Sequence, residues 1–139
     1  VFAVDSNPSA PYLIVFFFLI FFWEIGGQNV PNDWIDIDED VRFGARTVPI
    51  RLGIEEANVI IFGSIILTII LSGIMLILSP VSFELPFIIA FAFVGFYFLL
   101  MPTIKLYQSE ESSHALILFN KASYYPLALL AVIVVKLII

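Results

Sequence analysis

The chain of 139 residues has the length of a single domain, but 61% of it is hydrophobic and only 13% is charged. That excludes an ordinary soluble domain, in which about a quarter of the residues carry charge. The net charge of −6 argues against nucleic acid as a partner, because no basic patch is present to neutralise phosphates. The absence of cysteine excludes thiolate metal sites. The composition therefore predicts an integral membrane protein.

Four apolar segments predict four membrane-spanning helices. In chain order they are the uncharged runs 6–23, 57–83, 85–104 and 122–135. The first run continues past Glu24 toward Val30, and the last is extended by Lys136, whose long side chain can reach the interface. A helical span needs about 20 apolar residues, and these runs lack the amphipathic periodicity of a soluble core. We therefore predict an all-α, polytopic transmembrane helical bundle.

The basic residues predict how the bundle is oriented. Four spans place the connections at about 31–55 and 104–121 on the same side of the membrane. The Lys and Arg residues on that side are Arg42, Arg46, Arg51, Lys105 and Lys121, whereas the other side has Lys136 alone. The positive-inside rule counts Lys and Arg and largely ignores carboxylates. We therefore predict that both connections are loops that face the cytoplasm.

The first of these connections concentrates the charge of the chain. The segment from Asn29 to Gly53 reads NVPNDWIDIDEDVRFGARTVPIRLG and contains 8 of the 18 charged residues. Five carboxylates fall within eight residues, and three arginines follow them. A carboxylate at the centre of a bilayer costs about 2.5–3.5 kcal/mol, so the segment must lie at the membrane surface or line a polar cavity. Ionisable groups in such a place are candidates for function.

Three of these carboxylates have the spacing of one helix face. Asp33, Asp36 and Asp40 stand at i, i+3 and i+7, which places them within an arc of about 60° on an α-helix. Asn29 joins this face if the helix continues through Pro31. The three carboxylates repel each other unless a metal joins them, and Mg²⁺ commonly bridges one or two carboxylates to a diphosphate. The other carboxylates are interpreted as solvated: Asp38, Glu39, Glu55, Glu56, Glu110 and Glu111.

Two stretches resemble the UbiA superfamily of intramembrane prenyltransferases. A DxxxD core, Asp36 to Asp40, followed by GARTVPIRLG at 44–53, resembles the second aspartate-rich motif of that family. The sequence pattern NDxxDxxxD also fits the family's first motif. The residues RTVP that follow it and the three spans that remain favour the second motif. The run from Ala115 to Pro126 is similar to the start of the family's last helix. The resemblance extends over about residues 12–139.

The resemblance implies an enzyme that transfers a prenyl group within the bilayer and belongs to the class of transferases for alkyl or aryl groups other than methyl. The donor would be an allylic polyprenyl diphosphate and the cofactor Mg²⁺. The acceptor would be an aromatic quinone precursor, with a lipid as the other possibility. Such enzymes have nine transmembrane helices and two aspartate-rich motifs on cytoplasmic loops. Residues 1–139 would then be the C-terminal part, from the sixth helix to the ninth, and would be inactive alone because the first motif is absent from them.

The same resemblance assigns roles to individual residues. The expected metal ligands are Asp33, Asp36 and Asp40, of which Asp36 and Asp40 are also the expected catalytic residues. The expected substrate-binding residues are Asn29, Asn32, Arg46, Lys121 and Tyr124. Among these, Arg46 offers a guanidinium fork that matches phosphate oxygens. Lys121 and Tyr124 are expected on the same side of the membrane as the motif.

Three other classes of membrane protein are less consistent with the sequence. A cation transporter predicts ionisable residues in mid-span and paired helix-breaking glycines, but the interior runs are uncharged and Gly63, Gly73 and Gly95 form no repeat. A CDP-alcohol phosphotransferase needs D-G-x-x-A-R, and no Asp-Gly pair occurs. A non-catalytic scaffold would not require three carboxylates on one face.

Overall fold

The computed structural model describes residues 7–79 and 81–139, and the regular structure in these ranges is helical throughout. Six helices follow in chain order: α1 Ala10–Ile35, α2 Ile37–Arg42, α3 Val48–Leu52, α4 Ile54–Leu78, α5 Leu85–Ser109 and α6 Ser112–Ile138. Four of them, α1, α4, α5 and α6, are long and apolar enough to cross a membrane. The prediction of four spans in an all-α fold is confirmed. Residues 6 and 80, which belong to the predicted runs 6–23 and 57–83, lie outside the described residues.

The predicted loop at 104–121 is wrong. Helix α5 continues to Ser109 and α6 begins at Ser112, so only Glu110 and Glu111 separate the two helices. Glu110 adopts a left-handed conformation with φ of 54°, which ends α5 and reverses the chain within two residues. Helix ends predicted from the positions of charged residues alone are misplaced here, because a long cationic side chain can lie within a helix that continues past the apolar core.

The connection that was predicted as a loop at 31–55 is shorter than expected, and most of it is helical. Helix α1 continues through Pro31 to Ile35, and the short helices α2 and α3 occupy most of the connection to α4. Positive φ angles of 69° at Gly44 and 99° at Gly53 follow these two helices. Glycine is favoured there because a side chain would strain the left-handed backbone.

The four long helices form a bundle in which α1 and α5 each pack against both α4 and α6. The core contains fully buried side chains from α4, α5 and α6: Ile61, Ile65, Leu99, Leu106 and Leu118. Consecutive long helices of the bundle run in opposite directions. The acidic segment and the turn at Glu110 therefore lie at the same end of the bundle. We call this the motif end; residues 79 and 81–84 lie at the opposite end.

Helix α1 approaches both of its neighbours closely at a pair of glycines. A Cβ atom at Gly26 would lie 2.8 Å from the Cβ of Ser64 on α4, and one at Gly27 would lie 2.8 Å from the Cβ of Ala122 on α6. These distances are too short for a real side chain, so both positions require glycine. Small residues of this kind allow membrane helices to approach closely enough for extensive van der Waals contact. The position of α1 is thus fixed on two sides shortly before the acidic segment.

Two of the spans contain a wide turn of π-helix just before a proline. The π segments are Glu24–Asn29 in α1 and Phe96–Leu100 in α5, and they are followed by Pro31 and Pro102. Proline has no N–H, and its ring crowds the carbonyl four residues earlier in an α-helix. Hydrogen bonds of a π turn span five residues, which moves that carbonyl away from the ring. The wide turns therefore allow both helices to continue past their prolines.

A charged pair joins α5 to α6 at the opposite end of the bundle. Lys136 Nζ donates to both carboxylate oxygens of Glu84 at 2.6 Å and lies 5.2 Å from the centre of the Phe87 ring. The hydrogen bond from Lys136 lowers the pKa of Glu84 below that of an ordinary carboxyl group. Lys136, which was expected to reach the membrane interface, thus pairs there with the carboxylate of Glu84.

Candidate active site

The acidic segment lies where α1 ends, at the motif end of the bundle. The helix is interrupted at Asp36, whose φ of −98° and ψ of 12° are not α-helical, so the assumption of one continuous helix from Asp33 to Asp40 is wrong. A short Asp side chain competes with helical hydrogen bonds and favours such breaks. Two bonds hold the break together: the Asn32 amide donates to Asp36 Oδ2 at 3.2 Å, and the Asp40 N–H donates to the Asp36 carbonyl at 2.9 Å.

Three of the five carboxylates stay partly buried in spite of this break, and they are Asp33, Asp36 and Asp40. By contrast, Asp38 and Glu39 are exposed. The structure therefore separates the five carboxylates into an outer pair and a group of three, which we call the inner carboxylates: Asp33, Asp36 and Asp40.

Among the described residues, no cationic side chain forms an ion pair with the inner carboxylates. In the described part of the chain, the ion pairs are Glu84–Lys136 at 2.6 Å and the weaker Glu111–His114 contact at 3.8 Å. Arg46, which follows the acidic segment, is exposed. Within residues 7–79 and 81–139, the negative charge of the inner carboxylates is thus not balanced by an ion pair.

The inner carboxylates fit a divalent cation by their chemistry. Their donor atoms are all oxygens, which are the ligands that Mg²⁺ and Ca²⁺ prefer. They do not form a closed site: within the described ranges, no three His, Cys, Asp or Glu side chains converge as a coordination group. Because Mg²⁺ is usually held by one or two carboxylates together with water and substrate phosphates, this open arrangement suits a metal that is shared with a diphosphate.

Two polar atoms near the motif end are buried without a hydrogen-bond partner. They are Thr47 Oγ1, just before α3, and Asn58 Oδ1, near the start of α4. The Asn58 amide nitrogen is satisfied, since it donates to the Tyr107 carbonyl at 3.1 Å. A buried polar atom without a partner costs about 1–3 kcal/mol, so these two acceptors mark the motif end as a place suited to water or to a polar ligand.

Four of the five candidate substrate-binding residues, Asn29, Arg46, Lys121 and Tyr124, have no hydrogen bond or ion pair with the inner carboxylates in the described part of the chain. Lys121 on α6 holds its ammonium group 3.8 Å from the centre of the Tyr97 ring on α5 and 3.5 Å from the Tyr97 carbonyl oxygen. Tyr124 is 60% exposed, and Asn29 is exposed on α1. Of the predicted substrate-binding residues, Asn32 alone has a hydrogen bond to an inner carboxylate in the described structure.

A line of polar contacts between α1 and α6 was not predicted from the sequence. The Trp23 indole donates to the Ala122 carbonyl at 3.0 Å. Gln28 Nε2 lies 3.4 Å from the Phe119 carbonyl oxygen, and Ser123 Oγ donates to Gln28 Oε1 at 3.2 Å. The available signal was the glutamine itself, because a polar side chain within an apolar span usually has a partner on a neighbouring helix.

Comparison with known protein families gives a match to the UbiA prenyltransferase family over residues 1–134. The matched region includes the inner carboxylates and all of α1, α4 and α5. Comparisons with curated proteins and with solved structures gave no significant match.

Proposed function

The chain belongs to the UbiA prenyltransferase family, whose members are membrane prenyltransferases, and on this basis we propose that it works in the Mg²⁺-dependent transfer of a prenyl group from a polyprenyl diphosphate to an aromatic quinone precursor. One observation carries the proposal: three partly buried carboxylates, with no ion-pair partner among the described residues, lie where a membrane span ends. A polyprenyl diphosphate has an apolar tail that belongs in the bilayer and an anionic head that needs cations at its surface. The motif end offers both environments within one helix.

The inner carboxylates are proposed to hold the metal, with Asp36 and Asp40 also acting in the catalytic step. When bound, Mg²⁺ neutralises the charge that develops on the departing diphosphate. The task of the carboxylates is to keep the diphosphate at the membrane surface while the allylic carbon remains among apolar side chains. Asn32 supports this task, since its hydrogen bond orients the Asp36 carboxylate in the manner of an outer-shell partner.

Arg46 and Asn29 are proposed to contact the diphosphate directly. A guanidinium group presents two parallel N–H donors to phosphate oxygens. Arg46 is exposed and has no ion-pair partner among the described residues, so its donors are available. The amide of Asn29 is exposed on α1, one turn before Asn32.

Lys121 and Tyr124 are proposed to contact the substrate from α6. The Lys121 ammonium rests on the Tyr97 ring and has no carboxylate partner within residues 7–79 and 81–139. Such a fixed positive charge would attract an anionic group, including the carboxylate of an aromatic acid. The exposed ring of Tyr124 would offer an aromatic surface and a hydroxyl group to the same substrate.

Aromatic side chains are proposed to protect the reacting carbon from water. Beside Lys121, helix α5 carries contacting rings, in which Tyr97 meets Phe98 and Phe93 with ring centres 5.0 and 6.0 Å apart. An allylic cation is attracted to the faces of aromatic rings, and exclusion of water prevents its hydrolysis.

A second segment is proposed to complete the enzyme. Members of the family use two aspartate-rich motifs, and these 139 residues contain one. We expect the first motif and the remaining helices of a nine-helix fold to be supplied by a further segment. We also expect the motif end to face the cytoplasm, because five of the six basic residues belong to that half of the bundle.

A transfer assay on the complete enzyme tests the proposal. The enzyme would be placed in lipid nanodiscs with a radiolabelled polyprenyl diphosphate and, separately, a hydroxylated aromatic acid, a glycerol-phosphate lipid or buffer. We expect a prenylated aromatic product that disappears with EDTA and returns with Mg²⁺. Failure to transfer the prenyl group to any acceptor would contradict the proposal, and a labelled lipid product would replace the aromatic acceptor with a lipid.

A further inference from the structure

The π segment Glu24–Asn29 determines the direction in which the inner carboxylates face. A π turn contains one residue more than an α turn, and one residue corresponds to a rotation of about 100° around the helix axis. Everything after the π segment is therefore rotated by about 100° relative to an uninterrupted α-helix. Without the wide turn, Asp33 would project from a different side of α1.

A single side chain joins this wide turn to the neighbouring helix. Gln28 Nε2 donates at 2.9 Å to the Gly27 carbonyl, four residues before Pro31, which has no N–H to donate to it. The same nitrogen lies 3.4 Å from the Phe119 carbonyl oxygen on α6, and Gln28 Oε1 accepts from Ser123 Oγ at 3.2 Å. Gln28 thus binds the widened backbone and the facing helix at the same time.

The packing on either side of Gln28 restricts α1 to one rotation. Before it, Gly27 faces Ala122 so closely that a Cβ atom would lie 2.8 Å from the alanine Cβ. Beyond it, Trp34 is only 3% exposed. Asp33 stands next to this buried tryptophan, so its direction depends on the turn that Gln28 holds.

From these contacts we infer that Gln28 is a positioning residue, which holds the π segment and thereby the rotation at which Asp33 and Asp36 meet a Mg²⁺–diphosphate. The inference rests on the proposed function. Gln28 acts through the inner carboxylates, since all of its hydrogen bonds in the described structure are to Gly27, Phe119 and Ser123.

The test compares Gln28→Leu with a matched control in the complete enzyme. Leucine fills a similar space but removes all three hydrogen bonds. The control, Ser72→Ala, removes a different bond between helices, the 2.6 Å contact of Ser72 Oγ with the Tyr125 hydroxyl, which lies toward the opposite end. Three quantities are measured: Mn²⁺ affinity by electron paramagnetic resonance in the presence of inorganic diphosphate, the Mg²⁺ concentration that gives half of the maximal transfer rate, and the thermal unfolding midpoint.

We expect Gln28→Leu to weaken Mn²⁺ binding by about tenfold, the lower end of what loss of an orienting partner costs a metal site. The Mg²⁺ requirement should rise by a similar factor, and saturating Mg²⁺ should restore the rate. Ser72→Ala should lower the unfolding midpoint and leave both metal affinities unchanged. If Gln28→Leu does not fold, the same shift is expected for Gln28→Met, which keeps the length of the side chain but also removes its three hydrogen bonds.

Two results would overturn the inference. One is a lower unfolding midpoint for Gln28→Leu with unchanged metal affinity, which would make Gln28 merely structural. The other is an equal loss of metal affinity in Ser72→Ala, which would make the effect a general loosening of the bundle. A wild-type enzyme that binds Mn²⁺ but transfers no prenyl group would instead contradict the proposed function, and the Mn²⁺ shift would still decide the role of Gln28.

Discussion

The indole N–H of Trp23 donates to the Ala122 carbonyl oxygen at 3.0 Å, and that carbonyl is the one that Pro126, inside α6, leaves without its helical donor. The two residues are 99 positions apart in the chain. In hydrocarbon, backbone polar groups must find partners within the protein. The proline on α6 thus creates a requirement that a side chain of α1 satisfies, which helps to specify how the two helices pair.

This relationship predicts an interaction energy between Trp23 and Pro126. Trp23→Phe should destabilise the bundle by about 1–3 kcal/mol, because the Ala122 carbonyl loses its donor. In a Pro126→Ala background the same change should cost much less, since alanine supplies the helical N–H. A double-mutant cycle from unfolding in mixed detergent micelles measures the difference and cancels the effect of the smaller ring. Equal costs in both backgrounds would contradict the prediction.

The close approach of α1 to α4 predicts opposite results at two glycines. At Gly26, a Cβ atom would lie 2.8 Å from Ser64 Cβ and 3.0 Å from the Ile61 carbonyl oxygen, whereas nothing lies within 4 Å at Gly63. Gly26→Ala should therefore cost about 1–3 kcal/mol through overpacking, and Gly63→Ala should gain up to about 1 kcal/mol from helix propensity. Thermal unfolding in detergent measures both variants, and a similar midpoint for the two would exclude the packing explanation.

The features that the sequence predicted correctly depend on local composition. The four spans follow from runs of apolar residues, because any uncharged run of about 20 residues can satisfy its backbone as a membrane helix. The shared site of Asp33, Asp36 and Asp40 stays a prediction from their spacing, and hydrogen bonds across the break at Asp36 keep the adjoining turns adjacent.

The features that the sequence did not predict depend on contacts between distant segments. The turn at Glu110 depends on where two helices end, and charged residues such as Lys121 lie inside those helices. The π segment in α1 and the contacts of Gln28 depend on how closely α6 approaches, which no local pattern encodes. For the π segment, the prolines were the signal available in the sequence, since each one leaves a backbone carbonyl that needs another donor.

The separation of inner and outer carboxylates predicts two levels of activity among alanine variants. In the complete enzyme, Asp36→Ala and Asp40→Ala should reduce prenyl transfer below detection, because each removes a proposed metal ligand and catalytic group. Asp38→Ala should retain most of the activity, since Asp38 is exposed and lies outside the inner group. Initial rates at saturating Mg²⁺ measure the effect, and equal losses at all three positions would contradict the division.

The orientation of the bundle predicts which introduced cysteines react from outside the cell. Ser112 lies at the motif end and Ser82 between α4 and α5 at the opposite end. These 139 residues contain no native cysteine, so each variant introduces one thiol at a known position in this part of the protein. In intact cells, an impermeant maleimide should label Ser82→Cys and spare Ser112→Cys until the membrane is permeabilised. Labelling of the residue-112 thiol alone in intact cells would invert the proposed orientation.

Two arginines at the motif end are expected to have different roles. Arg46 lies in the stretch between α2 and α3 that follows the inner carboxylates, whereas Arg51 lies in the last turn of α3, next to α4. We therefore expect Arg46 to bind the diphosphate and Arg51 to face lipid headgroups. Lysine keeps the charge but loses the bidentate fork, so Arg46→Lys should raise KM for the prenyl diphosphate more than KM for the acceptor. Arg51→Lys, the matched control, should change neither constant appreciably, and loss of diphosphate affinity in Arg51→Ala but not in Arg46→Ala would reverse the two assignments.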